Sequence, residues 1–134
     1  MSQLREQLIR HEGLRQRPYM DTAGKLTIGV GRNLTDRGLS LDEVNLLLDN
    51  DIASAREDVL HAIPWSRQLD TDRFDVLVNM CFNLGIPRLI GFKNFLASLR
   101  VGAYDAAAQY MLDSRWATQV GARATELAAI VRGT

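Results

Sequence analysis

The chain has 134 residues, 46% of them hydrophobic and 24% charged, with a formal net charge of zero. That length buries a real core in one domain, and the composition excludes a disordered segment. A single cysteine, Cys81, excludes an internal disulfide, so no oxidising compartment is required.

The charge is unevenly spread. Residues 1–38 and 73–134 each hold seven Lys/Arg against four Asp/Glu, whereas residues 39–72 hold two against eight. Basic segments suit an anionic polymer such as cell-wall glycan or nucleic acid, and solvated surface charge is the plainer alternative. No apolar run approaches the roughly 20 residues of a membrane-spanning helix. The amphipathic start, MSQLREQLIRHEGL, lacks the apolar centre of a signal peptide. Synthesis in a cytoplasm is therefore expected, without an export address or stable membrane insertion.

The spacing predicts a first helix over residues 3–11, with Leu4 and Leu8 as its buried stripe and Ile9 beside them. Glu12 continues the stripe by one turn and Gly13 ends the helix. This sets a carboxylate on an apolar face at the carboxyl end of a helix, where burial and the helix dipole both disfavour its charge. Such a setting suits a general acid; a glutamate at a frayed helix end, in solvent, is the equally plain alternative.

Pro18 and Tyr19 suit extended backbone, and Thr22–Lys25 reads as a turn. Leu26, Ile28 and Val30 then alternate with Thr27, Gly29 and Gly31 as a strand with one apolar face. On that pattern Thr27 points away from the core, where it can share a water with Asp21, although Asp and Thr near a turn are also common for purely local reasons. Residues 33–39 read as loop. Ser40 and Glu43 form a capping box that opens the longest helix, residues 41–61, about 30 Å long. Leu41, Val44, Leu48, Ile52, Ala55 and Val59 line one side of it, and Ile63-Pro64 ends it.

Thr71 or Asp72 is expected to cap a helix running through Leu84, apolar nearly all round in VLVNMCFNLG and stopped by Gly85 and Pro87. Cys81 reads as core packing there. Residues 92–100, 103–112 and 121–132 read as shorter helices, with a break around 113–121. Trp65 and Trp116 read as core residues before sugar-stacking ones. There is no Cys/His cluster, so no metal is expected, and no cofactor or phosphate loop is indicated.

The stretch HEGLRQRPYMDTAGKLTIGVGR, residues 11–32, resembles the phage-type lysozymes of glycoside hydrolase family 24. Their fingerprint is Glu, eight residues, Asp, five residues, Thr, met here by Glu12, Asp21 and Thr27. The resemblance resumes in NMCFNLG, GFKNFL, SRWATQ and around Arg123, so it covers nearly the whole chain.

The resemblance implies an α+β, mostly helical fold of two lobes. A small β-hairpin lobe of about 13–39 would be followed by a linking helix, 40–63, and a helical lobe, 64–134, joined by helix 1–12. It also implies an inverting muramidase that cleaves the β-1,4 bond between N-acetylmuramic acid and N-acetylglucosamine. Glu12 would be the general acid, Asp21 and Thr27 would handle the water, Arg123 would support the glutamate, and Phe82 would contact substrate. The implied partner is bacterial peptidoglycan, reached from the host cytoplasm once a holin opens the membrane. A monomer is expected, without nucleic acid. A lytic transglycosylase and a non-catalytic glycan-binding domain are the alternatives; the first needs no water-activating aspartate, and neither explains the intact set. The family's GxGH reads GVGR here, with Arg32 in place of histidine.

Overall fold

A computed structural model describes residues 3–133. The chain forms two compact units, one through Leu47 and one from Leu48, and the fold is mostly helical with one small antiparallel sheet.

The first unit begins with α1 (Gln3–Glu12), followed by β1 (Arg15–Met20), β2 (Leu26–Gly29), β3 (Arg32–Asn33) and α2 (Leu34–Arg37). The sheet order is β1-β2-β3, both pairings antiparallel. The expected stripe of α1 is not buried: Leu4 is 59% and Leu8 43% exposed, and none of the helix's described side chains is buried. So small a unit has too little chain to cover a helix. The strand alternation is also inverted. Thr27 is 3% exposed while Leu26 and Val30 are exposed, because β2 is the central strand and Thr27 pairs with both Tyr19 and Asn33.

Residues 33–39 are more ordered than a loop. Asn33 caps α2 by accepting from the Asp36 amide at 3.0 Å, and Thr35 Oγ1 accepts from the Leu26 amide at 2.8 Å, tying α2 to β2. The helix α3 (Leu41–Ala62) starts at the expected capping box: Glu43 Oε1 accepts from the Ser40 amide at 2.8 Å and Ser40 Oγ from the Glu43 amide at 3.2 Å. Its apolar side is buried only near the end, at Ala55 and Val59, whereas Leu41, Val44 and Leu48 are exposed.

Arg32, in place of the family histidine, pairs with Glu43 at 2.7 Å and donates to the Gly38 carbonyl at 3.2 Å. The Arg32 guanidinium and the Ser40 N–H and O–H hold the Glu43 carboxyl down to about 2. Lowered in the folded state, this group adds stability that is present above its unfolded pKa and is lost as pH falls from about 4.5 toward 2. Glu43→Gln keeps the capping acceptor and loses the charge. Urea unfolding should show the variant less stable than the parent at pH 7, with the gap narrowing below pH 4.5 and closing only as pH approaches 2, and shrinking with salt. A gap independent of pH rejects the pair as the source.

The second unit continues α3 and adds a short 3-10 helix (Pro64–Gln68), α4 (Thr71–Leu84), α5 (Ile86–Leu89), α6 (Lys93–Arg100), α7 (Tyr104–Leu112), α8 (Arg115–Val120) and α9 (Ala122–Arg132). Asp70, not Thr71 or Asp72, caps α4 by accepting from the Arg73 amide at 3.2 Å. The helix α8 fills the stretch expected as a break, with Ser114 as its cap. Val76, Leu77, Met80 and Cys81 of α4 are buried with Phe95, Leu99, Met111, Trp116 and the Ala124, Leu127, Val131 side of α9. Cys81 is a core residue, and burial pushes its thiol pKa up. Trp116 is likewise core, its Nε1 donating to Asn83 Oδ1 at 2.8 Å.

Arg73 fastens the end of α9 to α4. Its Nε donates to the Val131 carbonyl at 2.6 Å and Nη2 to the Arg132 carbonyl at 3.1 Å. Nη1 meets Asp70 at 3.0 Å, and the guanidinium lies 3.5 Å from the centroid of Tyr104. Helix-end carbonyls have no partner within their own helix, so one planar fork replaces several water contacts. Arg73→Ala should lower unfolding free energy by about 2–3 kcal/mol in urea titration, and Arg73→Lys should recover only part. A loss below about 0.5 kcal/mol would mean the clamp is no better than a solvated ion pair.

Candidate active site

Glu12 is the last residue of α1 and is exposed, not desolvated as the apolar stripe suggested. Gly13 breaks the helix behind it, its amide donating to the Ile9 carbonyl at 2.9 Å. The Glu12 side chain lies against the backbone of Gly31 in the turn from β2 to β3. A β-carbon built on Gly31 would stand 3.1 Å from Glu12 Oε2.

Asp21 follows β1 and organises the hairpin turn. Its Oδ1 accepts from the Ala23 amide at 2.9 Å and the Lys25 amide at 2.8 Å. Its own amide donates to the Lys25 carbonyl at 2.9 Å. Oδ1 is thereby committed to the turn, while Oδ2 has no hydrogen-bond partner among the described residues of this unit. Such a carboxylate keeps a fixed orientation and one free oxygen.

Thr27 sits across the turn, and its hydroxyl donates to the same Lys25 carbonyl at 2.9 Å. With its proton committed, Oγ1 can only accept from a further partner. Both side chains thus converge on Lys25, whose backbone was not recognised from sequence as their common anchor. The signal lay in an Asp four residues before the end of a tight turn, a pattern that favours side-chain-to-amide bonding.

In the second unit Arg123 lies in the first turn of α9. Its Nε donates to Asn79 Oδ1 at 2.9 Å and Nη2 to the Asn79 carbonyl at 3.2 Å. Asn79 was also missed, although an asparagine inside an apolar helix is disfavoured enough to draw notice. Arg123 and Asn79 line a cavity of about 280 Å³ together with Val78 and Phe82. Phe82 is 49% exposed, unusual for an aromatic on a core helix. A second cavity of about 370 Å³ combines Phe92 and Tyr110 with Arg88, Lys93 and Arg115, and no acidic residue lines it.

Among the described residues no His, Cys, Asp or Glu cluster could hold a metal ion, and no helix is long and apolar enough to cross a membrane.

The phage lysozyme family model matches residues 9–132. The chain is similar to the pre-baseplate central spike protein Gp5 of Enterobacteria phage T4, at 28% identity over 94% of this chain and 27% of that protein. It therefore spans little more than a quarter of the spike protein. Probable T4-type lysozymes 1 and 2 of Dictyostelium discoideum are each 24% identical, covering 98% and 97% of this chain and 94% of each of theirs. The chain belongs to the phage lysozyme family and is, with that family, a glycoside hydrolase of the lysozyme type that acts on peptidoglycan.

Proposed function

We propose that the chain is an inverting N-acetylmuramidase that hydrolyses the β-1,4 bond between N-acetylmuramic acid and N-acetylglucosamine. Glu12 gives its proton to the leaving glycosidic oxygen. Asp21 takes a proton from the attacking water through its free Oδ2, and Thr27 Oγ1 accepts the water's other hydrogen. The new carbon–oxygen bond forms on the face opposite the one that breaks, so the product leaves as the α-anomer. Arg123, through the resemblance, is assigned to the support of Glu12, and Phe82 to substrate contact. The unopposed cations of the larger cavity suit the anionic groups of a peptidoglycan strand.

What supports this reading is the divided Asp21 carboxylate. One oxygen is locked by two amides and the other has no partner among the described residues, in the same unit as Glu12 and as the Thr27 hydroxyl, which bonds the carbonyl of the same Lys25 and can only accept. That is a built water-handling group, which neither a transglycosylase nor a binding module needs. As biology we propose a monomeric phage endolysin, made in the host cytoplasm and reaching the wall after a holin opens the membrane.

Mass spectrometry of purified peptidoglycan after digestion tests the chemistry. Reducing muropeptides ending in N-acetylmuramic acid are expected. Anhydro-muropeptides would make it a transglycosylase, and no release a binding domain.

A further inference from the structure

Two glycines flank Val30 in the turn between β2 and β3, and both take positive φ, +68° at Gly29 and +72° at Gly31. The turn explains that conformation but not the residue type, since Asn and Asp also tolerate positive φ. The surroundings of the two glycines differ. A β-carbon on Gly29 would meet nothing within 4 Å. One on Gly31 would stand 3.1 Å from Glu12 Oε2, 3.2 Å from Cδ and 3.3 Å from Cγ. Each of these is closer than ordinary van der Waals contact between such atoms. Among the described residues of the first unit the Glu12 carboxylate has no hydrogen-bond partner. It is exposed, on a side chain with three rotatable bonds, so the contact with Gly31 bears directly on where the carboxyl stands.

We propose that Gly31 is a positioning residue for the reaction: its bare α-carbon is the seat that sets where the Glu12 carboxyl stands when it donates its proton. The inference rests on Glu12 being the acid. A methyl group on Gly31 pushes the carboxyl off by a few tenths of an ångström. Exposed as it is, Glu12 gives way with little effect on folding. Catalysis is less tolerant, because a proton donor misplaced by as much as 1 Å costs about 10²-fold.

Gly29, the last residue of β2, supplies a matched control, carrying a similar positive φ two residues away without the contact. Gly31→Ala and Gly29→Ala should lose a similar few degrees of Tm. On soluble uncrosslinked peptidoglycan, Gly31→Ala should lose about 3- to 10-fold in kcat with KM little changed, while Gly29→Ala stays near the parent. Gly31→Asn accepts positive φ more readily yet carries the same β-carbon, so it should show the same kcat loss and serves if the alanine variant does not fold. Equal kcat in the Gly31 and Gly29 variants, or a loss confined to KM, overturns the seat. Glu12→Gln assayed alongside separates the two failures. If that variant is inactive while the Gly31 variants match the control, only the seat is wrong. If it stays active, the reading of Glu12 as the acid falls first.

Discussion

Glu12→Gln is expected to abolish muropeptide release while leaving the fold intact. An amide preserves the shape of the side chain and its seat on Gly31, but it has no proton to give at the pH of the reaction. General acid catalysis contributes about 10²–10⁴-fold, and an alkoxide leaving from a sugar ring depends on it heavily. Stability should barely change, because Glu12 is exposed at the end of α1 and no described side chain of that helix is buried. Purified variant and parent should give matching circular dichroism and urea midpoints, and the variant should release no reducing muropeptides above background. Release at near the parent rate would remove Glu12 from the mechanism.

At Asp21 the divided carboxylate lets two substitutions separate structure from chemistry. Asp21→Asn keeps an Oδ1 acceptor for the Ala23 and Lys25 amides, so the turn should survive and stability stay within about 0.5 kcal/mol. Its second position becomes an NH₂ group that cannot take a proton from water, so kcat should fall by about 10²–10⁴-fold. Asp21→Ala should lose the same activity and in addition about 1–2 kcal/mol, since two amides of the turn lose their acceptor. Thr27→Val should be milder in kcat, because a hydroxyl that only accepts can orient water but not deprotonate it. Proton NMR of the first-formed product completes the test, with the α-anomer expected. A β-anomer would give Asp21 the role of nucleophile, and an Asp21→Asn enzyme with parent-like kcat would leave it only the turn.

Much of this protein was legible in the one-dimensional pattern, wherever the cause is local. The Glu12, Asp21, Thr27 spacing pointed to the family that the whole-chain comparison shows. The Ser40–Glu43 capping box, the break at Gly13 and the long α3 each depend on residues within a turn of one another, and each stands where expected. The apolar run of α4 identified a core helix because five of its side chains are buried on several sides at once.

Burial was different, because it depends on which element lies opposite. Periodicity marks an apolar face but not what covers it, so the stripe of α1 and the first half of α3 were expected inside and are exposed. Thr27 shows the converse. A polar residue alternating with apolar ones reads as outward-facing, yet β3 on the far side makes β2 central and buries it, its hydroxyl satisfied by the Lys25 carbonyl. Long-range hydrogen bonds had no sequence signal of their own. Asn79 meets Arg123 and Arg73 meets the end of α9 across more than forty residues of chain. The seat of Glu12 on Gly31 is likewise tertiary. Local chemistry specified a glycine that turns the chain, and only the fold brought the end of α1 against its bare α-carbon, because a contact between two elements is a property of their packing and not of either one.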